Sequence, residues 1–220
     1  MDKERERIMI TYDIHLVFVE AVLGTASSDP EIHERFIASK APDAQTLKEE
    51  VAALGVDAVE DRSMTRFPHM DDGTPFLWDY QVKGFMKDAA KMMRYSSKSA
   101  SKGLTNYLKK IDGCVFPTPR VIPLHIPEGM DAGSCQRPLR AQTAQGERIA
   151  LANSEELPAG TWCDFQITTL IDEPLMQKCI VEWFQYGFLR GIGQWRNSGK
   201  GRFGCVVKRG DKVLLDTLRG

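Results

Sequence analysis

Alternating apolar and polar positions predict several β-strands along the chain. Near the start, Tyr12, Ile14, Leu16 and Phe18 alternate with polar residues. A period of two is typical of a strand with one buried face. Strands are predicted in four segments: 8–22, 162–171, 203–208 and 212–218.

Apolar residues at steps of three and four predict helices between these strands. The pattern is found at 31–40, at 41–55, from Trp78 or Asp79 to about Tyr95, and from Pro174 through Met176, Ile180, Phe184 and Phe188. SSKSASKG, at 96–103, predicts a flexible polar linker. Four prolines within 116–129 exclude a continuous helix and predict edge strands or an arm.

This order of elements predicts an α+β fold, which we interpret as a ferredoxin-like (RRM-like) core. The whole chain, 1–220, is predicted to be one domain. It carries an acidic helical insertion at about 25–75 and a basic proline-rich arm at about 115–160.

The composition is that of a globular protein, with 42% hydrophobic and 27% charged residues among 220. The N-terminal MDKERER has no apolar stretch of the kind found in secretory signals, so we expect a cytoplasmic protein. The five cysteines form no CxxC pair, and we expect reduced thiols.

Charge is unevenly distributed although the net charge is only -1. Residues 20–72 contain twelve acidic side chains and five Lys or Arg. Residues 83–140 contain four acidic side chains and eleven Lys or Arg, and residues 181–220 contain three acidic side chains and eight Lys or Arg. This segregation indicates a basic surface formed by the middle and end of the chain. Chance differences between solvated faces remain the alternative.

The segment GIGQWRNSGKGRFG, residues 191–204, is called the glycine loop below. It is not a phosphate-binding loop of the Walker type, because five residues separate Gly193 from Gly199 and Gly201 stands where a hydroxyl is needed. It also follows a predicted helix and precedes a strand, which is the wrong order for a dinucleotide fingerprint.

Two interpretations of the glycine loop remain. Arg196, Lys200 and Arg202 could neutralise phosphates while Trp195 stacks on a base, a combination suited to single-stranded nucleic acid. Alternatively, the loop is a glycine-rich connection with Trp195 packed on the core.

A helix that delivers a basic glycine-rich loop into the last part of the sheet resembles the RAMP superfamily, the RNA-binding subunits of CRISPR effector complexes. FLWDYQVKGFMKDAA, around Gln81-Val82-Lys83-Gly84, looks like the SSLKG element of the backbone subunits, with Gln81 in place of a serine. GTASSDP is similar in placement to their first-strand loop, although the family's histidine-glycine pair is absent. The resemblance covers about half of the chain.

The resemblance implies a guide-RNA-coating subunit, or a solitary relative, of an antiviral ribonucleoprotein. Its partners would be single-stranded RNA and further copies or other CRISPR subunits, and the basic arm with Arg137, Arg140 and Arg148 would be a thumb across the RNA. The expected RNA-binding residues are Lys83, Lys87, Arg137, Arg140, Trp195, Arg196, Asn197, Lys200 and Arg202.

Two alternatives stay open. Asp29 would be the counterpart of the aspartate that type III members use to cut target RNA, which would make the protein a magnesium-dependent endoribonuclease. The acidic region instead favours a protein-interaction module that imitates a complex subunit. We favour a binding protein over an enzyme and expect no cofactor other than Mg²⁺ in the nuclease alternative.

His69-Met70-Asp71-Asp72-Gly73 could ligate a divalent cation, but we expect a turn there. The four histidines lack the spacing of a zinc site, and no GxSxG segment indicates a serine nucleophile.

Overall fold

The computed structural model describes residues 9–27, 64–143, 146–171 and 174–219. The helices expected at 31–40 and 41–55, and Asp29, lie outside these residues. Within them the chain folds as an α+β structure. None of its helices in these ranges is long and apolar enough to span a membrane.

The described elements comprise three α-helices and twelve strands. The helices are α1 (Asp79–Met93), α2 (Tyr107–Cys114) and α3 (Pro174–Arg190). The strands are β1 (Ile10–Phe18), β2 (Val22–Leu23), β3 (Ala26–Ser27), β4 (Thr65–Arg66), β5 (Phe76–Trp78), β6 (Val115–Thr118), β7 (Val121–Pro123), β8 (Gly133–Thr143), β9 (Gly146–Leu157), β10 (Trp162–Thr169), β11 (Phe203–Arg209) and β12 (Lys212–Asp216).

The main sheet has the order β12-β11-β1-β10-β6, with every neighbouring pair antiparallel. The strand predictions at 8–22, 162–171, 203–208 and 212–218 are therefore confirmed, with slightly different ends. One face of β1 is buried and the other is partly exposed, as its alternating pattern predicts. β6 contains Pro117 and forms the sheet edge, where a missing N–H costs least.

Helices α1 and α3 cover the buried face of this sheet. Phe85 of α1, Phe184 of α3 and Phe203 of β11 meet there, with ring centres 5.2 to 6.3 Å apart. Offset and edge contacts of this kind add about 0.5–1.5 kcal/mol each to the free energy of burial. Both helix predictions are confirmed.

Phe188 is 46% exposed, which corrects the expectation that it continues the buried row of α3. Steps of four residues advance about 40° around a helix, so three steps from Met176 turn Phe188 away from the core. Gly187 lies there instead, and a Cβ atom on it would approach the Phe203 ring to 2.1 Å.

The basic arm contains a long hairpin of β8 and β9, which pair in register from Gly133 with Glu156 to Thr143 with Gly146. β2 and β4 add to β9, so the base of this hairpin joins a second sheet. The extended structure expected at 116–129 is present as β6 and β7.

The flexible linker expected at 96–103 is wrong. This segment forms a 3₁₀ helix, Ala100–Lys102, in which Ser101 is fully buried. A carboxylate from α3 binds it, and this long-range contact is not visible in the local composition. Helix α2, which begins four residues later at Tyr107, was not predicted at all.

Candidate functional site

Two segments that are distant in sequence lie against the glycine loop. The loop connects α3 to β11 and lies against the post-β1 segment, residues 19–26, and against the base of the β8–β9 hairpin. The amide of Gly201 donates to the carbonyl of Ala21 at 2.8 Å, and the amide of Val19 donates to the carbonyl of Arg202 at 2.9 Å. The loop is therefore part of the folded body.

The glycines of the loop allow this close packing of backbone on backbone. Gly201 has φ +71°, and a Cβ atom there would lie 1.9 Å from the carbonyl oxygen of Ile192. Gly193 has φ +91°, and its Cβ would lie 3.0 Å from the carbonyl oxygen of Leu23. Protein backbone thus occupies the space that we expected a ligand to approach at these two glycines.

Trp195 is the aromatic side chain that the loop presents to solvent. It has φ +54°, in the left-handed region that non-glycine residues rarely adopt, and it is 40% exposed. Trp195 is therefore not fully packed on the core, as the alternative interpretation of the loop would require. Strain of this kind costs about 1–3 kcal/mol and persists only where surrounding contacts enforce it.

Arg137 of β8 lies behind Trp195. Its guanidinium carbon is 5.5 Å from the centre of the Trp195 ring, and the residue is 4% exposed. It donates hydrogen bonds to Ser154 Oγ at 2.9 Å and to Gln194 Oε1. This side chain therefore joins the hairpin to the glycine loop.

Each cation of the glycine loop is paired with a carboxylate. Arg196 Nη1 is 2.9 Å from Asp88 Oδ2, Lys200 Nζ is 2.7 Å from Glu156 Oε1, and Arg202 Nη2 is 3.0 Å from Glu20 Oε1. A phosphate that bound these cations would have to displace or share those partners. The charge of the loop is largely compensated within the protein.

Asn197 is held in the same network. Its Oδ1 accepts a hydrogen bond from Arg190 Nη1 at 2.6 Å, and Arg190 Nε is 3.1 Å from Asp88 Oδ2. Asp88 on α1 thus binds two arginines and fixes the end of α3 to the loop.

The start of α1 reaches the post-β1 segment, but the two lysines expected to bind RNA do not reach the glycine loop. Gln81 Nε2 donates to Thr25 Oγ1 at 2.9 Å. Lys83 donates to the carbonyl of Asp112 at 3.1 Å and lies over the Phe116 ring, and Lys87 forms an ion pair with Asp112. Both lysines therefore contact the end of α2, and Lys83 also contacts β6.

Gly84 lies in the middle of α1 and is exposed, with no atom within 4 Å of the place where a Cβ would stand. The structure gives this helical glycine no packing role. Arg140 and Arg148 lie on the hairpin strands, opposite Ile149 and Ala141, and their side chains are outside the described part of the protein.

An aromatic stack that was not predicted from the sequence lies where β5 runs into α1. The rings of Trp78 and Tyr80 are 6.2 Å apart and nearly parallel, and Arg120 lies 5.5 Å from the centre of Trp78. Tyr80 is 59% exposed, and burial of its hydroxyl raises its pKa. The alternation of Phe76, Trp78 and Tyr80 in FLWDY was the available signal.

The turn expected near His69 is confirmed. The Thr74 amide donates to Asp72 Oδ1 at 2.9 Å, which lowers the pKa of that carboxyl. His69 Nε2 lies 3.1 Å from Glu155 Oε1. Among the described residues no group of three His, Cys, Asp or Glu could hold a metal ion.

Three of the cysteines, Cys163, Cys179 and Cys205, are buried in the core. Burial raises the pKa of Cys179 to about 11 and that of Cys205 to about 12, and it raises that of Cys163 further. Their thiols are therefore protonated at neutral pH and unsuited to nucleophilic chemistry.

Comparison with known proteins gives a structural match. No protein-family model matches the chain, and no curated protein matches it in sequence. Among solved structures, the chain is similar to one from the cryo-EM structure of the Type III-B Cmr-beta bound to cognate target RNA, with a TM-score of 0.52 and 10% identity. The match covers 91% of this chain and 61% of the other, so the protein spans less than two thirds of that neighbour's length. At this identity the likeness shows a shared α+β fold.

Proposed function

We propose that this protein is a RAMP-type subunit that binds single-stranded RNA at the surface formed by the glycine loop and the base of the β8–β9 hairpin. The sheet supports the fold assignment. Without β12, the order across the sheet is β11-β1-β10-β6, so these four strands are the fourth, first, third and second in the chain. Helix α1 follows β1 and helix α3 follows β10. This order supports the proposal of a ferredoxin-like core, and the RNA-bound neighbour has a similar fold.

The observation that carries the proposal is the pairing of Trp195 with Arg137. A strained backbone holds a half-exposed indole at the meeting point of two segments, while a buried guanidinium covers its inner side. A base that stacked on the outer face would gain about 1–3 kcal/mol. The positive charge of Arg137 behind the ring favours an anionic ligand in front of it.

In this proposal the cations of the glycine loop contribute to RNA binding by exchanging their carboxylate partners for phosphates. Arg196, Lys200 and Arg202 leave or share their carboxylates when a phosphate arrives, because charge-assisted bonds to phosphate can replace those to carboxylate. Each of these cations then contributes less binding free energy than a cation without a carboxylate partner would. Lys83, Lys87 and Arg140 remain proposed contacts at a greater distance along the RNA.

The partners follow from the same reasoning. The RNA would be a guide RNA, and the subunit would act beside other copies or other CRISPR subunits in an antiviral ribonucleoprotein. Cleavage is a separate proposal that depends on Asp29 and Mg²⁺, and incubation of labelled RNA with the D29N variant and the wild type tests it.

The compensated charge of the loop favours a second candidate, a protein-interaction module without RNA. Three carboxylates already neutralise the three cations, so the surface needs no polyanion to balance it. On this account the exposed Trp195 is an anchor for a protein partner.

Photocrosslinking separates the two candidates. The protein is irradiated with 4-thiouridine-substituted single-stranded RNA, and the crosslinked peptides are mapped by mass spectrometry. The proposal predicts crosslinks in residues 191–204 and in β8. Crosslinks confined to other surfaces, or none under conditions where an established RNA-binding protein crosslinks, would support the interaction module.

A further inference from the structure

The segment from Ala89 to Ile111 carries six positive charges and no negative one. It contains the end of α1, the 3₁₀ helix Ala100–Lys102 and the first half of α2. We call it the lysine segment. Its cations are Lys91, Arg94, Lys98, Lys102, Lys109 and Lys110.

These charges are not compensated by acidic side chains in the described part of the protein. None of the five lysines forms an ion pair or a side-chain hydrogen bond there, whereas every cation of the glycine loop does. Arg94 donates to the carbonyl oxygens of Ser101 and Leu104. The lysine segment is therefore the stronger positive surface of the two.

The segment is fixed in place by buried polar contacts. The Glu182 carboxylate of α3 accepts hydrogen bonds from Ser99 Oγ at 2.7 Å, from the Ala100 amide at 2.7 Å, and from Ser101. Trp183 Nε1 donates to Ser101 Oγ at 2.9 Å. Among the described residues, Glu182 is the only carboxylate that hydrogen-bonds to the segment, and it binds hydroxyl and amide groups there, not the lysines.

Tyr95 is the most exposed large hydrophobic side chain in the described structure, at 85%. It stands between Lys91 and Lys98, both of which are also exposed. The amide of Tyr95 donates to the carbonyl of Met92 at 3.1 Å, so the ring stands on a hydrogen-bonded turn directly after the end of α1. An exposed ring flanked by lysines is the arrangement in which a base stacks while neighbouring phosphates are neutralised.

The lysine segment is continuous with the glycine loop along one face of α1. Asp88, which binds Arg196, is followed at three, four and seven residues by Lys91, Met92 and Tyr95. Asp88, Lys91 and Met92 share a face of α1 at this spacing, and Tyr95 lies on the turn that follows the helix, about 10 Å from Asp88 at about 1.5 Å per residue. One strand of RNA could cross both surfaces.

We propose that the lysine segment is a second contact surface for the single-stranded RNA, on which Tyr95 stacks a base and Lys91, Lys98 and Lys102 bind phosphates. The identity of the ligand rests on the proposed function, but the surface itself uses none of the residues of the glycine loop. An acidic peptide would be bound by the lysines alone and would leave the exposed ring unexplained.

The test is a fluorescence titration with labelled oligouridylate from about 50 to 200 mM salt. Removing two phosphate contacts in K91A/K98A should reduce the slope of log K against log salt by about 1.4, since each contact to a single strand contributes about 0.7. Y95A should weaken binding about five- to 150-fold, and Y95F should bind as the wild type does. Thermal unfolding verifies that each variant is folded.

K208A/K212A is the matched control, because it removes two exposed lysines on β11 and β12 and changes the net charge equally. Equal slopes for the two double variants, or unchanged binding by Y95A, would overturn the inference. If polyglutamate competes as strongly as RNA and Y95A has no effect, the ligand is an acidic protein and the assignment is wrong.

These experiments distinguish a failure of the second contact surface from a failure of the proposed function. Loss of affinity in W195A alone supports the glycine loop and overturns the second surface. Loss in Y95A and K91A/K98A alone supports the second surface and overturns the first. The absence of RNA binding by the wild type overturns both.

Discussion

The Arg137 guanidinium lies 5.5 Å from the centre of the Trp195 ring and joins the β8–β9 hairpin to the glycine loop. Fifty-seven positions separate Arg137 from Gln194, which it also binds. The contact fixes both the orientation of the indole and the base of the hairpin, so it links the fold to the proposed binding surface.

Removing this contact should destabilise the protein. R137A loses two hydrogen bonds from a buried charged group, and we expect the free energy of unfolding to fall by about 2–3 kcal/mol. Urea denaturation measures the change. R120A is the control, because Arg120 is exposed and lies over Trp78, where the loss should be about 0.5–1 kcal/mol. Equal losses in the two variants would show that Arg137 is not a structural link.

Releasing a cation of the glycine loop should strengthen RNA binding. E156Q leaves Lys200 without its carboxylate, so a phosphate no longer has to displace Glu156 and the affinity at a given salt concentration should rise by up to about fivefold, since such a pair is worth about 1 kcal/mol or less. D164N is the matched control. It removes the same charge from an exposed pair with His15, on the open face of the sheet. If E156Q binds no more tightly than D164N, Lys200 does not contact phosphate.

A substitution at Gly84 should change protein stability and RNA affinity in opposite directions. G84A should raise the free energy of unfolding by about 0.5–1 kcal/mol, because alanine favours the helix and nothing blocks its Cβ. If RNA approaches α1 closely, the same methyl group should weaken binding. Gly113 in α2 also has open space around it, so G113A should stabilise the protein without changing RNA affinity. Unchanged affinity in both variants would remove the part of α1 around Gly84 from the binding surface.

The strands and long helices could be predicted because their signals are local. The alternation in β1 and the steps of three and four in α1 and α3 correspond to buried faces in the structure. The prediction that Phe188 is buried was wrong because positions four residues apart drift around a helix. The order at 96–103 could not be predicted, since it depends on Glu182, more than eighty positions away from Ser99.

The candidate site was only partly predictable for a similar reason. Glycines, cations and an aromatic residue are visible in the sequence, but their partners are not. Asp88, Glu156 and Glu20 come from three other segments and compensate the charge of the loop. The glycines that suggested a ligand instead allow contact with the post-β1 segment.

Ionisation of the buried thiols should destabilise the protein at high pH. The pKa values of Cys179 and Cys205 are raised in the folded state to about 11 and about 12, so the folded protein binds more protons than the unfolded chain once the pH exceeds the ordinary thiol value. Their stabilising contribution is complete below that value and decreases as the pH rises towards 12, by up to about 1.4 kcal/mol per pH unit for each thiol.

Urea denaturation at several pH values above neutrality measures this effect. Between pH 8 and the folded pKa, C205A should lose less stability than the wild type, because alanine does not ionise. C114A is the control, since Cys114 is only partly buried. The same pH dependence in the wild type and in C205A would contradict the account of the buried thiol.

The most direct test of the central claim is the affinity for single-stranded RNA of the wild type, W195A and W195F. We predict that the wild type binds and that W195A loses about 1–3 kcal/mol, or about five- to 150-fold in Kd, while W195F retains most of the affinity because a ring remains to stack on. Equal affinity of W195A and the wild type, or no binding by the wild type at low salt, would contradict the claim that Trp195 is an RNA-binding platform.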